Sequence, residues 1–348
     1  MRRIAICAAA FLIGLCAAQA QGPLSFQGKQ ITMIIGSAPG GGTDLSGRLI
    51  ANSIASHLPG KPTVIVRNIP GAQGVTAMNF FAKQVQPDGM TMIMGSTSQA
   101  DPLLYRKSTS QFDPTKFAMV GGAGRGGTVL MIRKDSEPRL YDKTKPPVIM
   151  GSLGGIPRSG MQTTAWGIAV LDWNAKWVVG YPSTSELLLA LDRGEIDMTA
   201  TGNLFHIRKL LETGKFKILS QSGSLRNGVL HSRGEFEGAP FVVDMMKDKI
   251  KDPLQQQAFD YWTSITALDK WVALPPGTPE AYVKSYREAF NDASDDPEFS
   301  EQGRKVSEDF EPMSAEDVTF LVTKIGSTSP EALAYLADML KKQGLEGE

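Results

Sequence analysis

Between Pro39 and Asp44 the chain reads Pro-Gly-Gly-Gly-Thr-Asp, residue types suited to holding a small anion. The residues before them, 31–35, have the character of a short buried strand, and Thr43 or Asp44 is the expected N-cap of a following helix. Glycines between a strand and a helix leave the N–H groups of Gly40, Gly41 and Gly42 unpaired and pointing one way. Lying at the positive end of a helix, they form a cradle for a carboxylate. No Gly-Lys-Ser/Thr follows, so this is not a nucleotide loop. A plain strand-to-helix turn with no ligand is the competing reading of this stretch.

Two further loops carry similar chemistry. Asn68-Ile69-Pro70-Gly71-Ala72-Gln73-Gly74 is a second glycine turn, and Gly95-Ser96-Thr97-Ser98-Gln99 is rich in hydroxyl and amide groups. Gly151-Ser152-Leu153-Gly154-Gly155-Ile156-Pro157 repeats the design farther along, followed by Arg158, and Thr201-Gly202-Asn203 forms another short loop. Arg158 is either a partner for a second ligand carboxylate or an exposed first-turn arginine. Catalytic groups are scarce. His57, His206 and His231 are far apart and in no ligand spacing, so no metal and no cofactor is expected. There is no Gly-x-Ser-x-Gly elbow and no pair of carboxylates in matching loops. Asp44 with Asp197 or Glu195 are the only loop-adjacent acids available to an enzyme.

The elements that must position these loops follow from periodicity. From 30 to 95 the chain alternates strand, helix, strand, helix, strand, which predicts a parallel sheet with right-handed crossovers, and such a sheet gathers its loops at one edge. The segment GGAGRGG, 121–127, matches the spacing of a dinucleotide fingerprint, but a β-branched run follows where a helix is required. It reads as a flexible crossing between lobes. A second α/β unit, 128–222, has strands expected at 148–150, 177–181, 195–199 and 216–219. Helices are expected beyond 223, at 240–249, 252–262, 279–293 and 315–324, with one strand at 270–274. These either complete the first lobe or form a third domain.

The length of 348 residues suits two domains. Residues 1–20 read as a cleaved secretory signal: Arg2 and Arg3, an apolar run, then Ala18-Gln19-Ala20. Both cysteines, Cys7 and Cys16, lie within it, so the exported chain has no thiols. Without the two signal arginines it carries 34 basic and 36 acidic residues. That balance gives no nucleic-acid surface, and no later apolar run is long enough to span a bilayer.

Three blocks in order, GSAPGGGTDLSGRLIA, PGKPTVIVRNIPGAQG and FAKQVQPDGMTMIMGSTS, resemble the solute-binding receptors of tripartite tricarboxylate transporters, the Bug family. The resemblance implies an α/β, type II periplasmic-binding-protein fold: two α/β lobes, 21–127 with 223–348 and 128–222, and a ligand cleft between them. It implies a monomeric periplasmic receptor, not an enzyme, that passes a small organic acid to inner-membrane transporter subunits. Carried over by position, it points to Gly40, Gly41, Gly42, Thr43, Asp44, Ala72, Ser96 and Thr97 in the first lobe. In the second lobe it points to 152–157, hence Ser152, Gly154 and Gly155, and to Asn203. The chain departs from the family pattern at Gly36-Ser37-Ala38, at Leu153, Ile156 and Pro157, and at Gly202-Asn203. A receptor for a membrane sensor kinase, and an exported enzyme using the same cleft, are the alternatives.

Overall fold

The computed structural model describes residues 24–345 other than 126, 154, 156, 158 and 309. The signal reading at 1–20 and the expectations for Gly154 and Arg158 therefore lie outside the described residues. The first half supplies β1 (Gln30–Ile35), β2 (Thr63–Asn68), β3 (Thr91–Ser96) and β4 (Ala118–Arg125). Next come β5 (Val129–Arg133), β6 (Val148–Gly151), β7 (Ala175–Val178), β8 (Met198–Thr201) and β9 (Phe216–Gln221). A hairpin, β10 (Ser224–Arg226) and β11 (Val229–His231), precedes β12 (Leu268–Leu274) and β13 (Phe310–Ser314).

These strands form two sheets, ordered β2-β1-β3-β12-β4-β13 and β7-β6-β8-β5-β9. In each, a central strand is flanked by two parallel neighbours, and an antiparallel strand follows, β12 in the first and β5 in the second. Both faces of the first sheet are covered, as alternation along β1 requires. Met33 and Ile35 pack with Ile50, Ile54 and Tyr286 on one side, while Ile34 packs with Met78, Phe81 and Trp271 on the other. The helices Glu280–Asp295 and Ala315–Gly326 pack on this sheet, against β4.

The glycine segment 121–127 is not a flexible crossing. Residues through Arg125 form β4, paired on both sides with β12 and β13. Its glycines serve close approach: a Cβ at Gly121 would lie 2.3 Å from the Phe290 ring, and one at Gly122 would lie 2.2 Å from the Lys270 carbonyl oxygen.

Register fixes how the two sheets meet. Val129 opens β5 opposite Thr201 at the end of β8 and Gln221 at the end of β9, so the chain enters and leaves the second sheet at its carboxyl edge. It leaves the first sheet at the carboxyl edge too, because β12 begins opposite Gly124 while Lys270 pairs with Ser96. The two crossings are tied together. The Thr128 N–H donates to the Ser222 Oγ at 2.8 Å, and the Ser222 N–H donates to the Thr128 carbonyl at 2.9 Å. The carboxyl edges of the two sheets are thus joined by short paired strands and lie across them from one another.

A second seam joins the halves. Trp166, in the Gln162–Val170 helix, sits 5.1 Å from Phe259 and 6.1 Å from Trp262 between ring centroids. Beside it, the Gln343 amide donates to the Ala165 carbonyl at 2.9 Å and accepts from the Trp177 indole at 3.1 Å. Among the described residues, no helix is long and apolar enough to cross a membrane.

Candidate functional site

Three loops leave the carboxyl edge of the first sheet. After β1, the Gly42–His57 helix has Gly41 as its N-cap, with no side-chain cap. Thr43 and Asp44 therefore lie inside the first turn, where the sequence suggested caps. Asp44, only 2% exposed, folds its carboxylate back on the turn. One oxygen accepts from the Gly40 N–H and from Arg48 Nε, both at 2.9 Å, and the other accepts from Asn68 Nδ2 at 2.8 Å. The Arg48 bond, reinforced by Gly40 and Asn68, outweighs burial and lowers the Asp44 pKa to about 2. The Gly40 amide is thereby spent within the protein, while Gly41 and Gly42 stay exposed on the uncapped turn.

The loop after β2 is conformationally unusual. Gly71, Ala72, Gln73 and Gly74 have φ of 138, 48, 56 and 89° in succession. Two non-glycine residues in this region cost of order 1–3 kcal/mol each, strain that persists only where surroundings impose it. Gln99 imposes it. Its amide nitrogen donates to the Gln73 carbonyl, and its oxygen accepts from the Ser96 N–H and the Ser96 hydroxyl, both at 2.8 Å. A Cβ at Gly74 would lie 2.7 Å from that amide nitrogen, so glycine is required there.

Held this way, the loops enclose a cavity of about 390 Å³ lined by Gly36, Ser37, Thr43, Gly71, Ala72, Gln73, Gly74, Ser96, Ser98 and Gln99, with Pro70 and Met94. Of the residues the sequence pointed to, Thr43, Ala72 and Ser96 line this cavity together. Gly40, Gly41 and Gly42 lie on the adjoining turn and are not among its lining residues. Thr97 is turned away, its hydroxyl donating to the Leu268 carbonyl at the start of β12. None of these lining residues is ionisable, and the hydroxyl of Ser37 has no partner among the described residues.

At the second sheet's edge Ser152 and Asn203 are bonded within the protein. The Ser152 N–H donates to the Val178 carbonyl, and the Ser152 carbonyl accepts from Gly180 and Tyr181. Gly155 is exposed. Asn203 caps the Leu204–Glu212 helix, its Oδ1 accepting from the His206 N–H at 3.0 Å. Asp197 lies at the opposite, amino edge of β8, bonded to Ser136, Arg139 and the Ile149 N–H. Asp197 and Glu195, the acids the sequence offered as partners for Asp44, thus both precede β8, at the edge away from the carboxyl ends.

The sequence marked the loops 68–74 and 95–99 without singling out Asn68, Gln73, Ser98 or Gln99 within them, and it gave no role to Ser37 or to Arg233, which donates to the Gly202 carbonyl at 3.3 Å. The Ser96-x-x-Gln99 spacing is that of a capping box and could have revealed Gln99. No local signal marks the bonds from Asn68 to Asp44 or from Arg233 to Gly202, each of which spans more than twenty residues of sequence.

No family model matches the chain. A TctC solute binding protein from Polaromonas, solved without ligand, superposes with a TM-score of 0.66 at 17% identity, covering 91% of this chain and 100% of its own. The chain has the TctC fold. A UPF0065 protein of Bordetella pertussis is 28% identical over 316 residues, covering 86% of each chain. One from Cupriavidus necator is 27% identical over 323 residues, covering 89% of this chain and 88% of its own. The resemblance drawn from the three loop blocks agrees with these relatives. Within this TctC fold, the loops of the first sheet offer hydroxyls and first-turn amides rather than a nucleophile and base. That arrangement can hold an anion reversibly.

Proposed function

We propose that the protein is a periplasmic receptor that captures a small organic carboxylate between two lobes, 21–127 with 223–348 and 128–222. It acts as a monomer and delivers the acid unchanged to the subunits of an inner-membrane tripartite tricarboxylate-type transporter. The observation that carries this reading is the cavity at the first sheet's carboxyl edge, where the hydroxyls of Ser37, Thr43 and Ser98 converge with no ionisable side chain in the wall. Neutral donors attract a carboxylate without supplying the proton transfers of catalysis. Hydrogen bonds to a charged group contribute about 1.5–3 kcal/mol each, so three or four suffice for micromolar affinity, about 8 kcal/mol.

Thr43, Ala72 and Ser37 are the principal contacts in this reading, with the Gly41 and Gly42 amides at the rim and Ser96 holding Gln99 behind them. Ligand contacts reaching both edges would draw the lobes together. A thermal-shift screen of mono-, di- and tricarboxylates tests the function. A binding acid at a hundred times its dissociation constant should add about 2.7 kcal/mol of stability. Thr43→Val and Ser37→Ala should each weaken that acid roughly tenfold. A screen in which no acid raises the transition, or variants that bind like the parent, would refute the reading.

A further inference from the structure

The two sheets share one strand order, so the loops at their carboxyl edges correspond position by position. Two residues past the first central strand stands Ser37; two residues past its counterpart β6 stands Leu153. At the second position of the helix that follows the third parallel strand, the first sheet has Ser98 and the second has Phe205. The loop after β2 is the glycine turn, whereas the loop after β7 opens with Val179. Hydroxyls and free amides on one side are answered by large apolar side chains on the other.

Those side chains are not buried. Leu153 is 40% exposed, Val179 41% and Phe205 66%. Each follows the carboxyl end of one of the three neighbouring parallel strands β6, β7 and β8, so an apolar surface laid along that edge would cover all three. The polar backbone around them is already engaged, at Ser152 with Val178 and Gly180, and at Asn203 with its helix. Arg233, whose guanidinium reaches this edge at the Gly202 carbonyl, also lies over the Phe236 ring. The paired crossings at Thr128 and Ser222 join this apolar rim to the edge that carries the donor-lined cavity.

We infer that the ligand is a monocarboxylate with an apolar body, a ring or an alkyl chain of several carbons, its charge held by the first sheet's loops and its body covering Leu153, Val179 and Phe205. The inference rests on the receptor reading and narrows its substrate class. Burying a ring or a chain against such side chains strengthens binding by a factor that acetate cannot gain, and a second carboxylate placed there would lose its hydration.

Calorimetric titration of the purified protein with acetate, phenylacetate, hexanoate and succinate tests it. Phenylacetate and hexanoate should bind at least tenfold more tightly than acetate and succinate. Phe205→Ser and Leu153→Ser, both at exposed positions, should each weaken phenylacetate three- to tenfold without lowering the thermal transition. Succinate binding as tightly as phenylacetate would overturn the inference and leave the receptor reading standing. The inference fails equally if both variants bind phenylacetate like the parent, since the rim would then be a docking face for a protein partner. Binding of none of the four acids, together with a silent thermal-shift screen, would overturn both.

Discussion

Asp44 shows how one side chain can read as a ligand contact and act as a frame. Its carboxylate fills the turn that the glycines shape, taking the Gly40 amide that the sequence offered to a ligand. The depressed pKa has a direction in pH. Above about pH 4 Asp44 is ionised in folded and unfolded chains alike, and its bonds to Arg48, Gly40 and Asn68 stabilise the fold. As pH falls toward 2, the unfolded chain, with the ordinary value of 3.8, takes up the proton first and that contribution is lost. We expect Asp44 to account for about 2 kcal/mol of the acid-induced loss of stability. Asp44→Asn should cost about 2 kcal/mol at pH 7 and flatten the curve below pH 4. Urea unfolding at pH 7 and pH 2.5 measures both, and parallel curves for variant and parent would contradict the assignment.

At the scale of elements, alternation and turn chemistry carried most of the fold. The strands expected at 31–35, 148–150, 216–219 and 270–274 each lie inside an observed strand, while those expected at 177–181 and 195–199 share only two residues each with β7 and β8. Two failures have physical causes. The glycines of β4 looked like a hinge because a sequence does not reveal which aromatic rings press on a strand, here Phe290 at Gly121. The helix Pro330–Lys341 and strand β13 were not anticipated; β13 carries Pro312 within a five-residue run, which weakens a strand pattern. The loop after β2 was recognised as a glycine turn, but its strained shape depends on Gln99, 25 residues beyond Gly74. That dependence is testable. Gly74→Ala should destabilise by about 2 kcal/mol, since the residue is left-handed and the new methyl meets the Gln99 amide. In a Gln99→Ala background the cost should shrink by about 1 kcal/mol, a coupling that a double-mutant cycle reads directly. Additive costs would mean that the two loops are not fastened to each other.

The whole molecule is two sheets of the same plan joined twice, by the paired crossings at Thr128 and Ser222 and by the seam around Trp166. The seam could not be read from local pattern, because it unites residues 165–177 with 259–262 and 343. A buried aromatic contact across the halves restrains how far they can part. We therefore expect a single calorimetric transition for the intact protein. Trp166→Ala, which empties a fully buried site, should cost about 3–5 kcal/mol and separate that transition into two. One lowered but undivided peak would show that the crossings alone keep the halves cooperative.

Two tryptophan rings facing each other across that seam also make the protein its own optical gauge. Their centroids are 6.1 Å apart and their planes are inclined by 33°. A displacement of an ångström between the halves alters this overlap, so ultraviolet emission, followed with no attached dye, can record each opening and closing as it happens.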